Sequence, residues 1–278
     1  VLELRTWREK TGFIVILAVI AFFLFFPVYW ALSSAFKANA ELYLSDPTFV
    51  PHRPYLGHFI NAITQGPLIL QLGNSLVTST ASALLNAVLA ALAGYSFAKF
   101  DYPVKRPLML LILSAQMFPF GVLLISIYPM LQSVGLLDTR IGLTVSYIVF
   151  ALPVSTYMMY SYFKQVPNEL IEAAKVDGAS NMKIFRRIVM PISLPAFITV
   201  ALYAFMWSWN DLLYSMTLIT SDDKRTVGPG LLLRYINENN ADWGGAMAAS
   251  FIVAAPVILV FSMLQKQFIG GVTSGAVK

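Results

Sequence analysis

Long apolar runs separated by short polar segments set the pattern of this chain. Six stretches contain no Asp, Glu, Lys or Arg: residues 11–36, 62–98, 107–137, 141–163, 188–210 and 243–265. Each can supply the ~20 apolar residues that carry a helix across a bilayer. The pattern predicts an all-α membrane protein, one transmembrane domain over 1–278, with six spans near 13–33, 70–94, 107–129, 142–163, 193–213 and 245–266. The second and third runs exceed one span, so their polar ends are expected at the interface or in loops. The first run follows basic residues and resembles a signal peptide, but its length and Pro27 favour an uncleaved span.

The basic residues orient these spans. Arg5, Arg8 and Lys10 precede the first; Lys99, Lys105 and Arg106 follow the second. Lys164, Lys175, Lys183, Arg186 and Arg187 follow the fourth, and Lys266 and Lys278 the sixth. That side holds thirteen of the 19 Lys and Arg; the other has Lys37, Arg53, Arg140, Lys224, Arg225 and Arg234. Basic loops stay inside, so both termini and the 164–187 segment are expected in the cytoplasm.

Composition agrees and narrows the chemistry. The chain of 278 residues is 58% hydrophobic and 12% charged, with a mean hydropathy of +0.69. It has no cysteine, which removes disulfides, thiol nucleophiles and thiolate metal sites. His52 and His58 fall in a Pro-rich external stretch and suit loop surface better than a metal site; no metal is expected. The net charge of +5 is that of basic cytoplasmic loops, without the aromatic-interleaved basic patch that nucleic acid needs.

Polar residues inside the spans are the pathway candidates. The second span opens with Asn74-Ser75 and continues through Thr78, Ser79, Ser82, Asn86 and Gly94. Such residues permit close helix packing with hydrogen bonds across the interface, or line a pathway. Pro119 and Gly121 follow Gln116 in the third span, and Pro153 lies in the fourth; such prolines bend membrane helices, at hinges or as packing kinks. The fifth ends in Trp207-Ser208-Trp209-Asn210-Asp211. Asp211 is the one acid embedded in an apolar run, although its tryptophan neighbours also suit an interfacial belt.

The most charged stretch between two apolar runs is Pro167 to Pro191, PNELIEAAKVDGASNMKIFRRIVMP. Its charges exclude it from lipid. It reads as two helices: one after Pro167, stopped by Asp177-Gly178, and one capped by Ser180 and ended by Pro191. Ala173 and Ala174 leave a small-sided surface that another backbone could approach.

EAAKVDGASNMKIFRRIVMP resembles the coupling loop of ABC importer permeases, whose pattern is Glu-Ala-Ala, three residues, Gly, nine residues, Ile, one residue, Leu-Pro. Glu172, Ala173, Ala174, Gly178, Ile188 and Pro191 match at that spacing, with Met190 where Leu is usual. GYSFAKFDYPVKRP (94–107) is similar to a short cytoplasmic turn of such permeases, and Trp209-Asn210-Asp211 to a stretch of sugar importers read as structural or gate-forming. The tail QFIGGVTSGAVK (267–278) is similar to that of the smaller permease of maltose- and trehalose-type importers. The resemblance implies a type I fold in the cytoplasmic (inner) membrane. Through Glu172, Ala173, Ala174, Asp177, Gly178, Ile188 and Pro191 it implies coupling to two ATP-binding subunits, and through Gly270, Gly271, Ser274 and Gly275 a tail contact with them. It further implies a second homologous permease and an extracytoplasmic sugar-binding protein, whose docking the loop at 221–242 is long enough to serve. The implied cargo is a sugar, with glycerol phosphate or a polyamine as alternatives.

The chain itself is not expected to be an enzyme or to carry a cofactor. It has no GxxxxGK[ST] phosphate loop, so ATP and magnesium belong on the partner ATPase. A stand-alone secondary transporter would show midplane ionisable residues and often an inverted repeat; neither is seen. No His or carboxylate cluster falls inside a span, which speaks against a membrane-embedded enzyme.

Overall fold

The computed structural model describes the backbone of residues 7–236 and 241–276, with side chains as far as residue 263. Fourteen α-helices follow one another among the described residues: α1 (Trp7–Ala35), α2 (Asn39–Leu42), α3 (Gly57–Thr64), α4 (Leu68–Lys99), α5 (Lys105–Ser114), α6 (Phe120–Ser133) and α7 (Arg140–Gln165). The second half adds α8 (Asn168–Val176), α9 (Asn181–Ile184), α10 (Met190–Ile192), α11 (Leu194–Trp209), α12 (Leu213–Leu218), α13 (Val227–Tyr235) and α14 (Trp243–Ala276).

Among the described residues, four helices are long and apolar enough to cross a membrane: α1, α4, α7 and α14 as far as Met263. Two expected spans are broken instead. The third bends by 102° between α5 and α6, after the 3₁₀ turn Ala115–Met117. Phe118 and Pro119 are both extended there, because a residue before proline is pushed out of the α region. The fifth bends by 80° at Ser193, so that α11 starts with Pro195 in its first turn. Counting each bent pair as one span gives six. The tail is not a flexible end, as its Gly-Gly and Gly-Ala pieces would suggest: α14 continues through Ala276, so 267–276 extend the helix.

The chain divides into two compact units. The first combines Val1–Leu68 with Leu231–Ala255. Here Lys37, 2% exposed, donates to the Thr48 carbonyl and lies 4.7 Å above the Trp30 ring. His58 is not loop surface: it lies on α3, 5% exposed, with Nε2 2.9 Å from the Lys37 carbonyl. His52 does stay on the surface, beside Glu41. The part of the external loop at 237–240 lies outside the described residues. Its Gly228-Pro229-Gly230 segment forms the first turn of α13.

The second unit combines Ile69–Gly230 with Pro256–Lys278. Its core joins small residues of α4 (Ala87, Ala90, Ala91) to Met159 and Phe163 of α7 and Val200 of α11. Polar pairs cross the same interfaces: Asn86 Nδ2 donates to Ser155 Oγ at 2.7 Å, and Ser82 Oγ to Ser208 Oγ at 3.3 Å. In a membrane such bonds replace part of the hydrophobic drive, since lipid is as apolar as leucine.

The non-cytoplasmic end of this unit is fastened by Asp138, which sequence reasoning did not single out. Asp138 takes a left-handed conformation (φ 55°). Its carboxylate accepts from the N–H groups of Thr220 (2.9 Å) and Ser221 (3.0 Å), the Ser221 hydroxyl and Lys224 Nζ (3.1 Å). Burial raises its pKa, but these hydrogen bonds outweigh burial and hold it well below the usual carboxylate range. A depressed folded value stabilises the fold above the unfolded pKa of about 4. That contribution is lost as pH falls from there through the folded value. Asp138→Asn should therefore lower the unfolding midpoint at pH 7, and its deficit relative to wild type should shrink below pH ~4. Thermal unfolding at pH 7, 5 and 3 checks this.

Candidate functional site

Local chemistry builds the 167–191 hairpin much as its residues suggest. In α8, Asp177 follows the last helical residue and Gly178 adopts φ +76°. Gly178 N–H donates to the Lys175 carbonyl (3.0 Å) and Ala179 N–H to the Ala174 carbonyl (2.9 Å). These two bonds form a Schellman stop, which the left-handed glycine makes possible. Ser180 Oγ then accepts from Lys183 N–H at 3.4 Å and caps α9.

Pro191 does not end this second helix. A π-helical turn, Phe185–Val189, leads into α10, where Pro191 occupies an initial position whose N–H is not required. The break comes two residues later at Ser193, before Pro195.

The hairpin has two faces. Ile171, Ala174, Ile184, Phe185 and Val189 are buried against Tyr95 of α4 and Met159 and Phe163 of α7. The Tyr95 ring lies 4.9 Å from Phe185 and 5.9 Å from Phe163. Glu172, Ala173, Asp177, Gly178 and Pro191 are exposed, as are Val176 (88%) and Met182 (55%). Ala174 therefore does not offer a docking surface. Its small side chain lets α8 lie close on its own bundle, and Ile188 is likewise partly buried. Val176 and Met182 are apolar side chains on the open face that the motif alone did not identify.

Lys99, at the end of α4, fixes where the hairpin starts. Its Nζ donates to the Val166 carbonyl at 2.6 Å and to Asn168 Oδ1 at 2.8 Å. Hydrogen bonds from a charged donor contribute about 1.5–3 kcal/mol. Lys99→Met should loosen α8 from α4 and speed amide hydrogen exchange in 167–179 several-fold, with the protein still in the membrane. Hydrogen–deuterium exchange on the detergent-solubilised variant and wild type measures that ratio.

The pathway candidates separate into several local roles. Asn74 Nδ2 donates to the carbonyls of Asp223 and Arg225, both at 2.9 Å, and Ser75 Oγ accepts from Val227 N–H at 3.0 Å. Both residues clamp the segment after α12. Gln116 Nε2 donates to the Phe150 carbonyl at 2.9 Å. That carbonyl is next to the one at Val149, which Pro153 deprives of its helical donor. The broken third span thus brings Gln116 onto the proline-opened part of α7.

Asp211 is 6% exposed and fully engaged. It accepts from Tyr214 N–H (3.1 Å), Ser215 N–H (2.8 Å) and the Tyr147 hydroxyl (2.9 Å). It is a helix-capping carboxylate that ties α12 to α7. Asn210, by contrast, is exposed, with its side chain donating to the Met206 carbonyl one turn back (2.8 Å). It stands at a cavity of about 820 Å³ whose wall includes Phe120, Tyr203 and Trp207. Phe120, Phe150 and Trp207 pack mutually with centroids 4.1–4.7 Å apart. Gly270, Gly271, Ser274 and Gly275 lie on helical backbone in α14, and their side chains are outside the described residues.

Comparison with known proteins follows this geometry. The family model described as "Binding-protein-dependent transport system inner membrane component" matches residues 86–273. The diacetylchitobiose uptake system permease protein NgcG of Streptomyces coelicolor is 31% identical over 90% of this chain and 82% of its own length. The trehalose transport system permease protein SugB of Mycobacterium tuberculosis is 30% identical over 98% of each. A crystal structure of a bacterial ABC transporter that imports alginate contains a chain with the same fold (TM-score 0.81, 20% identity, 95% of this chain and 98% of that one). The family model covers more than half of the chain, so this protein belongs to the binding-protein-dependent transport inner-membrane components: it is a non-catalytic, multi-pass permease subunit of an ABC importer that works with an ATPase and a binding protein.

Proposed function

We propose that this chain forms, together with a second homologous permease, the translocation pathway of an ATP-driven importer of sugars, most simply di- or oligosaccharides. One of the two ATP-binding subunits docks on the open face of the 167–191 hairpin, through Glu172, Ala173 and the neighbouring Val176, and the other on the corresponding loop of the second permease. Nucleotide and magnesium stay on those subunits, and the end of α14, with Gly270, Gly271, Ser274 and Gly275, reaches between them. An extracytoplasmic sugar-binding protein delivers the cargo.

The observation that carries the coupling role is the division of the hairpin into a face packed on its own bundle and an unpartnered face with the motif's Glu172 and Ala173. The sugar class is supported by the names of the relatives, which take up diacetylchitobiose and trehalose. The cavity beside Asn210 agrees with it. Its aromatic walls suit the apolar faces of a sugar ring, and its one carboxylate, Asp211, is already held by three donors. Glycerol phosphate or a polyamine would need a free opposite charge, which this cavity does not offer.

A mild-detergent pull-down from native membranes, followed by uptake with a panel of sugars and the binding protein, tests the proposal. The expected outcome is a second permease, an ATPase at twice the copy number, and saturable uptake of one oligosaccharide. A homo-oligomer without ATPase, or uptake of a polyamine but no sugar, would contradict it.

A further inference from the structure

We propose that the cytoplasmic mouth of the cleft between α4, α5 and α7 binds the headgroup of an anionic phospholipid. A cavity of about 500 Å³ opens there, with Lys105, Arg106 and Lys164 among its lining residues and Phe97, Met109 and Tyr160 on its walls. Three cations face one carboxylate, Asp101, and that carboxylate is already paired. Lys105 Nζ lies 3.0 Å from Asp101 Oδ1 and donates to the Phe100 carbonyl at 2.9 Å. The exposed side chains of Arg106 and Lys164 make no hydrogen bond or ion pair among the described residues.

The orientation rule asks only that basic residues lie on this side of the membrane. It does not ask that they converge on a cavity. Here they come from two helices separated in sequence, and an apolar track shares the same cavity: Leu110, 69% exposed, with Met109 and Phe97. A charged rim beside these apolar side chains matches a phosphodiester with acyl chains attached. A free phosphate would use the cations and leave the apolar track bare. Basic pockets between membrane helices on the cytoplasmic side recognise anionic headgroups in this way.

The site is independent of the cargo, so its test does not depend on the sugar assignment. The whole importer is purified in mild detergent, exchanged into phosphatidylcholine with or without phosphatidylglycerol, and the retained lipid counted by native mass spectrometry. Wild type should keep phosphatidylglycerol in preference to phosphatidylcholine, and millimolar inorganic phosphate should not displace it. The R106Q and K164Q variants should each retain about five-fold less, the factor expected per basic residue at an anionic surface, with all partner subunits still present. Equal retention in R106Q/K164Q would overturn the proposal. So would displacement of the lipid by phosphate alone, which would mark a site for a soluble anion. Loss of the ATPase from the variants with lipid unchanged would make these residues a protein contact and overturn it as well.

Discussion

Glu172→Lys should reduce uptake at least ten-fold while leaving the chain folded and inserted. The Glu172 side chain is exposed and turned away from the α8 residues that pack on the bundle, Ile171 and Ala174. A substitution on such a surface changes the stability of its own chain by no more than about 0.5 kcal/mol. Reversing a charge where a partner docks is different: a like-charge juxtaposition in a desolvated interface costs several kcal/mol, enough for the expected loss. Gly178→Pro should have the same outcome by another route. Proline fixes φ near −65°, whereas Gly178 stands at +76° and gives its N–H to the Lys175 carbonyl. The Schellman stop would unwind and α8 would lose its angle to α9. Uptake into cells, set against the amount of each variant in the membrane, measures both. Normal uptake in the two variants would contradict the coupling role of the hairpin.

The largest loss of folded protein is expected from Gly94→Leu. A Cβ at this position of α4 would lie 2.7 Å from Met159 Cβ and 2.8 Å from the Tyr160 backbone nitrogen. The obstacle is the body of α7 and not the tip of a flexible side chain, so the two helices would have to separate. Overpacking a tight core costs about 1–3 kcal/mol, and here the displaced helix also carries Phe163, against which the hairpin rests. Detergent-solubilised Gly94→Leu should aggregate on size exclusion, or unfold many degrees below wild type. Gly73 on the same helix is the control, because nothing lies within 4 Å of a Cβ built there. Gly73→Ala should be neutral or slightly stabilising, since alanine favours a helix interior by up to about 1 kcal/mol.

Much of the hairpin could be read from its residues because its rules are local. A glycine after Asp177 and a serine three residues before Lys183 specify a stop and a start whatever surrounds them. The direction each face points is not local. Ala173 and Ala174 look alike in sequence, and only packing against α4 and α7 turns one out and the other in. Pro191 misled for a related reason. A proline ends a helix only where its missing N–H would have been used, and the π turn ahead of it shifts the hydrogen-bond register. Pro195 marks the break instead.

The membrane segments show the same division. Apolar length marked six runs that the chain does fold as helix, but it could not show that Pro119 breaks the third one by 102° and does not merely kink it. Asp211 stands out in the sequence as an unusual acid, yet its donors come from Tyr147, 64 residues away, and from the backbone of α12. Asp138 gave no signal as an isolated acid before a helix, because its partners lie 82–86 residues along the chain.

The central claim is that the open face of the 167–191 hairpin is where the ATPase docks, and one cross-linking measurement addresses it directly. Residues 1–278 contain no cysteine, so a single introduced thiol is unique among them. Cysteine is placed at Val176, 88% exposed on the open face, and separately at Ile184, fully buried on the inner face. The assembled importer is then treated with a short thiol-reactive cross-linker. The account predicts a cross-link from position 176 to the ATPase subunit and none from position 184. A hairpin that joins to nothing from position 176, in a complex that still contains its ATPase, would contradict it.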